Sequence, residues 1–471
     1  MRHLSISSVI RVGVGVGVGI VAVALSSAAA AEPQGAPVTT IEPGVDQAMS
    51  RTLATPLFRR VQDAVKADHE RTLADLKLLT EIPAPPFKER ARAEAFLARA
   101  SALGLQAHID AEGNVVGIRR GTGGGPTLVV SAHLDTVFPE GTDVTVKLRD
   151  GRWYAPGVAD DTRGLTVLLS WIKVLNELDV KTVGDLMFVA NVGEEELGDL
   201  RGMKALFRDH ADIDGMVGLE PDPGGSITIA GVGSHRHEVV FKGPGGHSYL
   251  MFGLVPSAIH GMSRAVAKIG DIQTPVDPKT TFTVGTVSGG TSVNTIAPSA
   301  RMAIDIRSVE MPAMLETERS IMAAIAEGVA DENRRWKTNE LTYTTRLIGD
   351  RPAGRTPPDA RLVQVAVRAT TAFGRPTPRL IPNSSDANVP MSLGIPALIM
   401  TSGGEAGGWH TTGEWWKPDG AWQDAQIGLA TVLTLVGVKG VSEPLLAKRS
   451  PVSPPGAAGG SASAVDGQRV Q

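Results

Sequence analysis

The chain has 471 residues, 42% of them hydrophobic, which allows two or three domains with real cores and excludes disorder throughout. A net charge of -4 with 20% charged residues leaves no basic field for nucleic acid or an anionic membrane. With no cysteine, disulfide scaffolds, thiolate nucleophiles and thiolate metal sites are excluded, so any metal must be held by His and carboxylates.

In chain order, residues 1–31 read as a signal peptide. Arg2 and Arg11 precede an apolar run from Val12 to Leu25, and the small residues Ser26 to Ala31 offer a cleavage point. The expectation is an exported protein, periplasmic or secreted. The alternating glycines Gly13 to Gly19 follow no strand and make no nucleotide loop, and Gly121 to Gly125 lacks the Gly-Lys-Ser/Thr ending of one. Nucleotide is therefore not expected.

A first stretch, 48–233, alternates helical and strand patterns. Ala91 to Leu103 has helical spacing, while Thr127 to Ala132, Asp185 to Val192 and Met216 to Leu219 are short apolar runs bounded by polar residues. The stretch 234–350 then reads β-α-β-β-α-β, a ferredoxin-like unit inserted as a lid or dimerisation domain, whose exposed edges suit a homodimer. Residues 351–442 resume the first domain, because the run Pro396 to Met400 needs strands to pair with. The fold class is α/β, with a mixed, mostly parallel sheet plus an α+β insert. Residues 449–471, rich in Pro, Gly, Ala and Ser, read as a disordered tail.

Four of the apolar runs end in metal-type side chains. They lead to His133 and Asp135, to Glu194 and Glu195, to Glu220, and through a glycine loop to His410. In open α/β sheets such groups gather outside the carboxyl ends of the strands, where the turn holding Asp160 and Asp161 also opens a helix. Nitrogen and oxygen ligands suit two Zn²⁺ ions, with Co²⁺ or Mn²⁺ as substitutes. His133, Glu220 and Asp160 are assigned to one ion, and His410, Glu195 and the same Asp160 to the other. Asp135 is expected to accept the second N–H of His133, and Glu194 to serve as general base and then acid for a water held by the metals. No G-x-S-x-G elbow in a suitable setting supports a serine hydrolase.

These segments resemble the co-catalytic dizinc peptidases that include peptidase T, glutamate carboxypeptidases, aminoacylases and carnosinases. The matching pieces are SAHLDTV at Ser131, GVADDTRG at Gly157, GEEELGDLRG at Gly193, GLEP at Gly218, GPGGHS at Gly243, SVNTIAPSARMAIDIR at Ser292, SDANVP at Ser385 and GGWHTTGEW at Gly407, in the family order from about Leu73 to Gly437. The resemblance implies the same five ligands and the same base. It further implies that His247 is a lid histidine helping to stabilise the oxyanion, from the partner subunit in dimeric members. Asn294 and Arg307 match positions that hold the substrate's carboxylate or carbonyl. Two departures stand out: Thr162-Arg163 replaces the commoner Lys-Gly, and Glu196 extends the Glu pair, so that Glu195/Glu196 is a shifted alternative.

Other polar residues have plainer readings. His235 and His237 read as structural or surface residues of a strand, Arg307 alternatively as part of a solvated face, and Trp409, Trp415 and Trp416 as pocket lining or core. Asp386 and Asn388 either buttress the site or shape a turn. The function read from the whole is an exported zinc exopeptidase acting on di- or tripeptides or other short peptides. The alternatives are an N-acyl-amino-acid amidohydrolase using the same metals, and a non-catalytic peptide-binding protein, which would have no need of Glu194.

Overall fold

The structure, a computed structural model, describes residues 39–221 and 225–450. The expected signal segment and the expected tail beyond residue 450 lie outside the described residues. Among the described residues no helix is long and apolar enough to cross a membrane.

The apolar runs form the central sheet because each can bury both faces. On Thr127–His133, Leu128, Val130 and Ala132 join one core and Val129 the other. The strands Asp185–Asn191, Thr127–His133, Gly215–Glu220 and Ala397–Thr401 lie side by side and parallel. Antiparallel strands extend this centre, Val115–Arg119 on one side and Ser226–Gly231 on the other. Arg379–Asn383 adds a further parallel neighbour to the latter.

Helices cover both faces, as a doubly buried sheet requires. Thr162–Glu177 and Ala421–Val436 are buried almost all round, and Trp171 of the first donates its indole N–H to the Ala425 carbonyl of the second at 3.0 Å. The packed chain begins before the expected residue 48. Helix Pro43–Ala54 buries Val45 and Met49 in the same core, which moves that boundary upstream.

A second sheet, ordered Thr280–Gly289, Ser299–Ser308, Gly233–Lys242 and Thr342–Arg351, is antiparallel throughout. Helices Ala258–Gly270 and Met311–Trp336 pack on one face of it and build a separate core around Phe241, Met302 and Ile325. The order of its main elements is β-α-β-β-α-β. Asn388 ties the two crossings into this unit together: its amide donates to the Val232 carbonyl at 2.8 Å and the Pro352 carbonyl at 2.9 Å.

Candidate metal and catalytic site

Side-by-side parallel strands bring their carboxyl ends to one edge, so residues far apart in sequence meet there. His133 and Glu220 are the last residues of their strands, and Gly193–Glu195 follows the Asp185–Asn191 strand. His410 arrives on the loop after Ala397–Thr401 with φ +60, a left-handed conformation that is uncommon for a residue with a Cβ.

Asp160 sits between the two imidazoles. Its Oδ1 is 3.1 Å from His133 Nε2 and its Oδ2 is 3.4 Å from His410 Nε2. His410 Nε2 is also 3.3 Å from Glu195 Oε1. One carboxylate thus presents an oxygen to each histidine, the arrangement a bridging ligand needs. Ligand atoms of Asp160, Glu195 and His410 lie within 4.8 Å of one another, as do those of His133, Glu194 and Glu195. Glu220 lines the same cavity of about 350 Å³, and among the described residues its buried Oε1 has no hydrogen-bond partner.

Charge in this cluster is unbalanced. Burial, and then the Glu194 charge, pushes the Glu220 carboxyl well above the usual range, and burial raises Glu195 to about 8. His410 is held protonated up to about 10 by its bonds to Asp160 and Glu195. Burial opposes a charged His133, but Asp135 and Asp160 outweigh it and hold its proton well above the ordinary imidazole range. Protons thus occupy positions that cations would take. The orphaned Glu220 oxygen, the shared Asp160 and the N/O donor set fit a dinuclear divalent site.

The surroundings orient these side chains. The Asp135 carboxylate accepts the backbone N–H groups of Glu194 at 3.1 Å and Glu195 at 2.8 Å, fixing the turn that carries both. The expected bond from His133 is shifted by one group. Nδ1 lies 3.0 Å from the Asp135 main-chain carbonyl and 3.7 Å from its carboxylate, because that carboxylate is already aimed at the neighbouring loop. Asp161 accepts the His133 backbone N–H at 3.1 Å and caps the Thr162–Glu177 helix through Gly164 N–H at 3.2 Å. Glu194 Oε1 receives Arg351 Nη1 at 3.0 Å. Asp386, expected to buttress or to shape a turn, accepts the Asn191 amide at 2.7 Å directly behind the site.

Three placements separate the remaining candidates. Arg307 lines the cavity with Arg236 and Arg351. His247 and Asn294 do not line it: both are exposed, on the short ladder Gly246–His247 with Thr295–Ile296 and in the loop before it. Glu196 is exposed at the start of a 3₁₀ turn and also stays off the cavity wall, so the shifted Glu195/Glu196 pairing finds no support in the geometry. Of the tryptophans, Trp409 lines the cavity, whereas Trp416 is core and donates to the Gly403 carbonyl at 2.8 Å.

Glu414 was not foreseen. Fully buried, it accepts the N–H groups of Gly157 at 2.9 Å, Ala159 at 2.8 Å and Asp160 at 3.0 Å, and so holds the loop that presents the Asp160 carboxylate. Its position in GGWHTTGEW, an acid among aromatic residues with no helix to solvate it, was the available signal. Glu414→Gln sets an amide against at least one of these donors. The expected result is metal affinity lowered about 10- to 100-fold with the fold retained, measured by competition with a chromophoric chelator. Unchanged affinity would refute this role.

A model of Peptidase family M20/M25/M40 matches residues 129–436. The chain belongs to this family. An uncharacterised Bacillus subtilis protein, YqjE, is 29% identical over 306 residues, covering 62% of this chain and 77% of that protein. The crystal structure of aminopeptidase PepT from Bacillus cereus superimposes with a TM-score of 0.64 at 24% identity, over 77% of this chain and 98% of that one. Bacillus subtilis YXEP, described as a dinuclear metal-binding peptidase of the M20 family, gives 0.60 at 15% identity over 79% and 99%. This M20 member is thus a hydrolase of a family that includes dinuclear metallopeptidases, built on the shared fold with its mostly parallel central sheet.

Proposed function

We propose that this chain is an exported zinc exopeptidase that hydrolyses di- and tripeptides bearing a free carboxylate. The observation that carries the reading is Asp160 placed between His133 and His410, with Glu195 beside it and Glu194 and Glu220 on the same cavity wall. His133, Asp160 and Glu220 would hold one zinc ion, and Asp160, Glu195 and His410 the other. Bound zinc supplies Lewis acidity at the scissile carbonyl and lowers the pKa of water.

The chain's own groups do the rest. Glu194, held by Arg351, receives a proton on its carboxylate and passes it to the leaving amine. Arg307 on the cavity wall is 39% exposed and pairs with Asp305 through Nε at 2.6 Å, which orients its planar fork for a substrate carboxylate. A cavity of about 350 Å³ suits a ligand the size of a short peptide. His247 reaches a substrate only by closure of the inserted unit or from a second copy. The exposed Tyr249, Leu250, Phe252 and Leu254 beside it favour a dimer built through that unit. The segment 1–31 supports export.

The test is a panel of dipeptides, tripeptides, their carboxyl-terminal amides and N-acyl amino acids, offered to zinc-loaded and cobalt-loaded protein. The expected result is release of free amino acids from peptides, with the amidated forms cleaved at least about tenfold more slowly, the loss of one charge-assisted pair. Cleavage confined to N-acyl amino acids would replace the peptidase reading with the amidohydrolase one. No hydrolysis by the metal-loaded chain would leave a binding protein.

A further inference from the structure

We infer that His235, His237 and Glu318 form a third divalent-cation site, separate from the catalytic pair and placed inside the inserted unit. His235 and His237 are alternate residues of the Gly233–Lys242 strand, so both point to one face, toward the Met311–Trp336 helix that carries Glu318. The intervening Arg236 points the other way and lines the catalytic cavity. Glu318 divides its carboxylate between the two rings: Oε2 is 2.7 Å from His235 Nδ1 and Oε1 is 2.7 Å from His237 Nε2. Ligand atoms of all three residues lie within 4.8 Å of one another.

His237 is the second observation. It is only 6% exposed, yet among the described residues neither ring nitrogen makes a hydrogen bond. Its Nε2 faces Glu318 Oε1 as a close ion pair outside hydrogen-bond alignment, and its buried Nδ1 has no partner among the described residues, a desolvation left uncompensated at that nitrogen. A cation between the three groups satisfies it. The ring of His235 is already fixed for that role, because its Nε2 lies 3.2 Å from Asp350 Oδ1 on the neighbouring strand. An N–H donated there leaves the Nδ1 lone pair facing Glu318, the imidazole–carboxylate arrangement found behind metal-ligating histidines. Two nitrogens and one or two oxygens suit zinc, with water completing the shell. Such an ion would pin the helix to the strand whose opposite face presents Arg236 to the substrate cavity.

Zinc bound per chain, measured by equilibrium dialysis and elemental analysis on the full chain, tests this. The parent is expected to hold three ions, a His133→Ala/Asp160→Ala variant one, and that variant carrying His237→Ala or Glu318→Gln none. An ion-free His133→Ala/Asp160→Ala variant, or one whose remaining ion survives both lid substitutions, overturns the inference. Crystals of the parent protein grown with zinc give a check independent of any substitution. An anomalous peak at the zinc edge between His235, His237 and Glu318 supports the site, and its absence with the catalytic pair filled overturns it.

Discussion

Glu194→Gln is expected to lower turnover about 10³-fold while leaving the content of catalytic metal that of the parent, since a positioned general base contributes roughly 10²–10⁴. Gln is nearly isosteric and its carbonyl can still accept the Arg351 Nη1 bond that Glu194 Oε1 accepts at 3.0 Å, so the loop should hold its shape. Arg351 also donates to the Glu194 main-chain carbonyl, a contact the substitution leaves alone. What disappears is a carboxylate able to take up a proton. Because Asp135 fixes the Glu194 and Glu195 N–H groups independently of the side chain at 194, Glu195 remains in place against His410. The measurements are kcat and KM on a cleaved dipeptide together with metal per chain. Loss in kcat with KM within about twofold is the signature of a group acting in the chemical step. Turnover within tenfold of the parent would remove Glu194 from the base role and reopen the assignment along this loop.

The residues that meet at the candidate site were legible because the strands that carry them announce themselves. Thr127–His133 and Asp185–Asn191 are mostly apolar inside and stop at His133 and Asn191, so the turn from sheet to loop coincides with the turn from core to chemistry. The inserted unit was equally legible, since its strands alternate and its second helix, Met311–Trp336, is long. The strands Ser226–Gly231 and Arg379–Asn383 were not seen. The first follows directly on Pro-Gly-Gly and the second contains Pro382, and their pairing with each other depends on chain more than a hundred residues apart.

Side-chain work across such distances was also hidden. Arg163, registered only as a departure from the family pattern, is buried under Trp416 and donates to the Ser402 carbonyl at 3.1 Å and the Ala421 carbonyl at 3.2 Å. It clamps the root of the loop leading to His410. His235 and His237 show the same limit: alternation sets their common face, but whether that face meets water or an acid depends on a helix some eighty residues further along. Glu414 is a third case, reaching back to Gly157, Ala159 and Asp160.

Asp160→Asn is expected to weaken both catalytic ions together, where substitution of any other ligand weakens chiefly one. The two carboxylate oxygens face different histidines, Oδ1 toward His133 at 3.1 Å and Oδ2 toward His410 at 3.4 Å. Burial alone would favour a neutral Asp160, but the two imidazoles outweigh it and keep the carboxyl well below its usual range. An amide in its place carries one acceptor and no charge, and its NH₂ must face one of the two metal positions. Glu414 and Asp161 hold the surrounding backbone without help from the side chain at 160, which keeps the fold intact and confines the change to the ions. Calorimetric zinc titration should therefore lose both catalytic binding events, with activity at least about 10³-fold down, whereas Glu220→Gln and His410→Ala should each leave one of the two catalytic events. Both catalytic events persisting at parental affinity in Asp160→Asn would mean that the carboxylate does not bridge, and the catalytic ions would then have to be assigned to Glu194 and Glu195 around His133 instead.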